Sequence, residues 1–278
     1  MLLKKFNNIK TLPNVIIKIS KLISEENTTM QEIEEVIKLD PALVLRILRL
    51  INSPYYGMRQ KVESITKAIV FLGLNNLRSL IVVEGLKDLF KDTGEEEIFS
   101  RTQLWLHCAV VGICARMISE RIFQEKGDDA FLAGILHDIG MIVEDQVVHN
   151  LFIKSCKTYK PRVKSFIEYE KEIIGTDHCE TGYCLAREWQ LPIKIQEAIN
   201  HHHSVREEIS PSSLTGIIQT AGFMATKMNY PAILGLEENL SPYLTAGLKS
   251  MASEYRTLIK DLPDEIEKAK ELYKTKAE

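Results

Sequence analysis

The stretch DPALVLRILRLINS (40–53) sets the terms for the fold. Val44, Ile47, Leu48 and Ile51 recur at i, i+3, i+4 and i+7, the spacing that gathers apolar side chains on one helical face. Asp40 suits the N-cap and Pro41 the first helical position. Upstream, Ile33, Val36 and Ile37 repeat the pattern behind a cap at Thr28 or Thr29, with Glu32 placed to close a capping box. Pro54 drives the residue before it out of the helical region and stops the third helix at Asn52-Ser53. Ser64 then opens a helix carrying Ile65, Ile69 and Leu72 that ends at Gly73, and another follows from about Leu74 to Leu89. Glycine and proline together number 23 of 278 residues, few for a chain of tight β-turns, and no segment alternates apolar and polar residues over a strand's length. The expected fold class is all-α.

The charged, apolar-free stretch KDTGEEE (91–97) marks a boundary, so two packed helical lobes are expected, about 1–92 and 93–278. In the second, a long helix is predicted from about Glu96 to Phe123. Asp128 or Asp129 should cap the next, with His137 and Asp138 near its C-terminal end. Residues 158–164 read as a loop. Further helices are predicted at about 165–174, 179–189, 192–201 and 212–228, then a loop over 229–242, then helices at about 243–259 and 263–275. Trp105 and Trp189 are expected to pack between lobes, and Cys108 and Cys114 to lie in the core.

Net charge is −3, which gives no support to non-specific nucleic-acid binding. No run approaches the roughly 20 apolar residues of a membrane span, and the start lacks an apolar core with a cleavage site. A cytosolic protein is expected. Five cysteines without a CxxC pair read as reduced thiols.

Chemistry concentrates in one region. His107, His137, His178 and the run His201-His202-His203 are six of the seven histidines, and His137 is followed directly by Asp138. Two imidazoles and a carboxylate suit zinc, manganese or non-haem iron. His178 and the 201–203 run could complete that site or build a second beside it, as two-metal hydrolases do. Read by residue type alone, each of these has a structural alternative: a buried His–Asp pair closing a helix end, or, for His178, a contact at a helix start. Successive helical positions diverge, so one of the three consecutive histidines must face solvent, and His201 is expected to. In the first lobe, Arg46, Arg49, Asn52, Tyr55, Tyr56 and Arg59 gather around one helix end, which could be a surface for an anionic ligand or a partner but reads first as a capped helix with solvated charges.

Over about residues 11 to 225 the chain resembles the HDOD family, a degenerate branch of the HD metal-dependent phosphohydrolase superfamily related to HD-GYP proteins. The resemblance is carried by Leu12-Pro13, IKLDPALVLRILRLINSPYYG (37–57), ITKAIVFLGLNNLRSL (65–80), WLHCAVVG (105–112), GILHDIG (134–140) and DHCETGYCLAREWQLPIKIQEAINHHH (177–203). It implies an HD-like second lobe and metal-ligand positions at His107, His137, Asp138, His178, His202 and His203. Three departures stand out. Gly222 takes the place of the family's closing Asp, which should leave a ligand vacancy for water. Met141 stands where active HD-GYP enzymes carry a phosphate-neutralising lysine. The HHE and GYP sequences are absent after His203. The resemblance therefore implies a bacterial signal-transduction module that keeps the HD fold as a scaffold for a protein partner or a small ligand such as a nucleotide, with no residue assigned a catalytic role. The alternatives are a metal-dependent phosphohydrolase of the cyclic-dinucleotide phosphodiesterase kind, or an iron oxygenase built on His107, His137 and Asp138.

Overall fold

A computed structural model of the chain describes residues 28–53, 56, 58, 60–86, 89–91, 98–205 and 209–273, together with Lys18, Ile19 and Leu22. These residues contain thirteen α-helices and no strand. Leu12-Pro13, Tyr55, Arg59 and the expected boundary at 92/93 lie outside them.

The first helices form as their caps require. Helix α1 (Met30–Lys38) begins with a complete capping box: Thr29 Oγ1 accepts from the Glu32 N–H, and the Glu32 carboxylate accepts from the Thr29 N–H at 2.8 Å. Helix α2 (Pro41–Ile51) has Asp40 accepting from the Leu43 N–H at 3.0 Å. Beyond it Asn52 is structural rather than exposed to a ligand, because its side-chain amide bonds both the N–H and the C=O of Val62 at 2.8 Å. Both helices pack on α3 (Ile65–Leu86). Gly73, at φ +74°, bends α3 by 107°, so the two helices read from the sequence are two arms of one bent element. No single helix among the described residues is long and apolar enough to cross a membrane.

The remaining chain builds the site. Helix α4 (Arg101–Met117), capped by Ser100, runs on into a π-helical turn (Ile118–Ile122). It packs most closely against α5 (Asp128–Leu136). Two glycines make that approach: a Cβ on Gly134 would lie 2.6 Å from Gly112 Cα and 2.7 Å from its nitrogen. Trp105 of α4 packs against Phe90 with ring centroids 4.8 Å apart and the rings tilted by 48°, and Trp189 is fully buried. Helices α6 (Ile139–Val147), α7 (His149–Thr158), α8 (Phe166–Ile173), α9 (His178–Glu188), α10 (Ile193–His201) and α11 (Leu214–Lys227) follow. Then come α12 (Pro242–Ser250) and α13 (Ala252–Tyr273). One apolar core runs from Ile19 and Ile33 through the centre of α4 to Ala269. Helix α3 joins α5 through the buried Arg78, whose guanidinium meets Asp129 at 2.5 Å, and Lys194 of α10 reaches the same carboxylate.

Several expected boundaries move. The cap of α5 is Gly127, not Asp128 or Asp129; Asp129 is drawn away to Arg78 and Lys194. The expected helix over 243–259 breaks at Met251, while α13 continues through Pro263. A proline there removes one backbone bond, but Tyr255, Leu258, Leu262, Ile266 and Ala269 bury an unbroken stripe across it, and that packing decides the outcome. All five cysteines are free, and Cys108 and Cys114 are buried in the core.

Candidate metal centre

The site is assembled where four helix ends meet. Helix α5 stops at Leu136, and His137 and Asp138 occupy the turn before α6, so these neighbours escape the 100° divergence that a continuous helix would impose. His107 comes from the middle of α4, brought across by the Gly112–Gly134 contact. His178 is the first residue of α9, whose cap Asp177 accepts from the Glu180 N–H at 2.8 Å. Helix α9 can sit this close to α6 only because residue 140 is glycine; a Cβ there would collide with the His178 carbonyl. His202 and His203 follow directly after α10.

Asp138 is the hub. Its Oδ2 faces His137 Nε2 at 3.3 Å and His107 Nε2 at 3.5 Å, and those two nitrogens are 3.2 Å apart. Its Oδ1 faces His202 Nε2 at 3.2 Å and His178 Nε2 at 3.6 Å. The described residues thus form two ligand groups that share one carboxylate: His107, His137 and Asp138, and Asp138, His178, His202 and His203, each with donor atoms within 4.8 Å of one another.

Each imidazole of the inner shell is oriented from behind. Nδ1 lies 2.6 Å from the Tyr230 carbonyl in His107, 2.7 Å from the Gly134 carbonyl in His137 and 2.7 Å from the Ile199 carbonyl in His202. In His178 it lies 2.6 Å from the Glu170 carboxylate. These contacts place a proton on Nδ1 and turn Nε2 toward the shared carboxylate. The His178 Nε2 is buried and has no hydrogen-bond partner.

This arrangement fits a divalent ion. At a metal–nitrogen distance of 2.0–2.1 Å, tetrahedral ligands stand about 3.3–3.4 Å apart, and the triangle of His107, His137 and Asp138 has edges of 3.2, 3.3 and 3.5 Å.

Charge follows from surroundings. Burial pushes His107 down to about 4, so it is neutral. Burial opposes ionisation of Asp138, but His137 and the other imidazoles hold the carboxyl well below its ordinary value. Burial likewise works against charge on His178, and the Glu170 carboxylate overcomes it and lifts this imidazole well above its usual range. His202 is raised to about 10: burial lowers it, while Cys179 and Asp138 lift it. His203 is held well down by burial and by His202.

All six sequence-predicted ligands therefore converge. His201 falls outside both ligand groups, and His149 binds Asp145 elsewhere at 2.7 Å. Met141 is wholly buried in the apolar core, away from the cavity. The expected vacancy at Gly222 is not open: a Cβ there would meet Glu238 Oε2 at 2.6 Å, because the carboxylate of Glu238 lies over the glycine. Sequence reasoning also missed Glu170 and, beside it, Glu144, which burial and Glu170 push well above the normal carboxyl range. No local pattern marks these residues. Glu144 stands within α6 and Glu170 within α8, while Glu238 comes from the loop after α11. A cavity of about 450 Å³ opens on His203 and Glu238, with Arg162 and Lys164 at its rim.

An all-α fold with a His–Asp turn at the junction of two helices, and histidines converging on it from three more, defines the class: an HD-type helical domain. The chain belongs to the HDOD family, whose domain model matches residues 9–205. An uncharacterised protein of Treponema pallidum is 26% identical over 226 residues, 79% of this chain and 42% of that protein. The chain thus spans under half the length of that curated relative. Among solved structures, a candidate signal transduction protein from Marinobacter aquaeolei superposes with a TM-score of 0.71 at 20% identity, covering 95% of this chain and 60% of that one. A candidate phosphohydrolase from Shewanella amazonensis gives 0.66 at 24% identity, covering 94% and 97%. At these identities the likeness is one of fold.

Proposed function

We propose that this chain is a cytosolic regulatory signalling module of HDOD type. Its HD-like lobe binds a divalent cation and uses the loaded centre to recognise a protein partner or an anionic small ligand such as a nucleotide, without turning it over. One observation carries this reading: two ligand groups meet at Asp138, with the inner imidazoles tethered through Nδ1 and the His178 Nε2 buried without a hydrogen bond. A pocket kept only for packing has no use for so many polar atoms aimed at one point, since each costs free energy to bury unpaired.

A bound cation would supply Lewis acidity and a counter-charge for phosphate at this point. The chain's own residues supply little beyond that. The position that would offer a lysine holds the buried Met141, and the cations at the cavity rim are engaged: Arg162 pairs with Glu237 at 3.1 Å and Lys164 with Glu172. Recognition is therefore favoured over phosphoryl transfer. A second reading, a metal-dependent phosphohydrolase, is favoured by the sharing of Asp138 between two groups, which is the layout two-metal hydrolases need.

The test is elemental analysis of protein purified without chelator, followed by assay of bis-p-nitrophenyl phosphate and cyclic di-GMP. Bound zinc or manganese with no turnover is the expected result. Metal-free protein that also takes up none on titration overturns the reading. Turnover that Asp138→Ala abolishes replaces it with the second, and iron as the native metal would direct attention to oxygenase chemistry.

A further inference from the structure

We propose that Glu238, on the loop between α11 and α12, is the second carboxylate of the metal centre, supplying from a distant point in the chain the ligand that Gly222 does not carry. This rests on the reading that the lobe binds a divalent cation.

Position comes first. A Cβ built on Gly222 would stand 2.6 Å from Glu238 Oε2 and 3.4 Å from Oε1. By ordinary bond lengths, an aspartate's carboxylate oxygens stand about 2.4 Å from its own Cβ. Glu238 Oε2 thus lies in the shell around residue 222 where an aspartate there would carry its oxygens. The absence of a side chain on α11 is what makes room for it.

The loop holds Glu238 in place. Ala232, Ile233 and Leu236 are buried in the core, and the Leu236 N–H closes a turn on the Ile233 carbonyl at 3.0 Å. Thr226, one turn beyond Gly222, donates its hydroxyl to Glu238 Oε1 at 3.2 Å. That is a weak partner for a half-buried carboxylate, and no lysine or arginine among the described residues forms an ion pair with it. Glu238 lines the same cavity as His203, a member of the second ligand group, and a carboxylate held there without a counter-charge calls for a cation. Glu238 stands outside the two groups whose donor atoms lie within 4.8 Å of one another. The extra methylene of glutamate provides the reach when the side chain turns inward on an ion.

The experiment titrates the chelator-treated full chain with MnCl2 by calorimetry, comparing wild type, E238Q, D138N and the double variant G222D/E238A, each checked for folding by its circular-dichroism melt. E238Q should weaken Mn²⁺ binding at least about tenfold, in line with what supporting ligand interactions contribute. G222D/E238A, which moves the carboxylate onto α11 and removes the collision, should recover it, and D138N should lose binding altogether. Wild-type affinity in E238Q overturns the assignment of Glu238 while leaving the cation reading intact. A folded double variant as weak as E238Q also overturns it. If wild type itself takes up no Mn²⁺, the cation reading falls and takes Glu238 with it.

Discussion

Gly134→Ala tests whether the approach of α4 to α5 builds the first ligand group. The new Cβ would stand 2.6 Å from Gly112 Cα, 2.7 Å from Gly112 N and 2.9 Å from the Val111 carbonyl carbon, all backbone atoms that cannot rotate aside. Ordinary contacts begin at 3.4 Å, so the two helices must part by about 0.8 Å. Overpacking of this kind costs about 1–3 kcal/mol. For a chain of this size that corresponds to a fall in melting temperature of about 2–4 °C per kcal/mol. The same separation acts on the site, because His107 rides on α4 and His137 follows α5. Their Nε2 atoms, now 3.2 Å apart, would move toward 4 Å, close to the limit of about 4.1 Å at which two nitrogens can still share one ion, and then only in a straight line. Urea unfolding and Mn²⁺ calorimetry should therefore both respond. A variant that melts with wild type and binds Mn²⁺ equally well would show that glycine at 134 is incidental and that the helix contact does not set the ligand triangle.

Cation binding should depend on pH with a definite sign. His178 and His202 are raised above the ordinary histidine value in the metal-free protein, so both hold protons at neutral pH, and a cation must displace them. Affinity should rise by about tenfold per pH unit for each proton released, measured between pH 6 and 8 by calorimetry in buffers of different ionisation enthalpy; binding without proton release would contradict the assignment. His107, lowered to about 4, contributes nothing to that slope above about pH 5. Asp177→Ala removes the cap of α9 and an ion pair with Lys171 at 2.9 Å. It should cost about 1–2 kcal/mol in urea unfolding, and an unchanged midpoint would show that α9 needs no cap to hold His178.

Much of this molecule is legible in its residue pattern, and the limits are physical. Caps at Thr29, Asp40 and Ser64, and the bend at Gly73, are local devices, so a few consecutive residues disclose them. The six converging residues were legible because the family resemblance marks their positions, although by residue type alone each had a structural alternative. Three things escaped. The segment 139–157 forms α6 and α7, which the sequence pattern left unassigned. Pro263 reads as a terminator until the buried stripe from Tyr255 to Ala269 outweighs it. Glu238 lies sixteen positions from the glycine it covers, in a loop whose path is set by buried side chains rather than by any spacing. What fills the space above Gly222 can therefore be read only across the fold, not along the chain.

Helix α5 links the N-terminal helices to the histidine cluster. Nine residues make it a rod about 13 Å long. At one end stands Asp129, clamped by Arg78 from the first set of helices and by Lys194; just past the other stands Asp138. One unbroken helix with no hinge along it thus spans from the Arg78 clasp to the histidine cluster, the shortest physical connection between the N-terminal helices and the site.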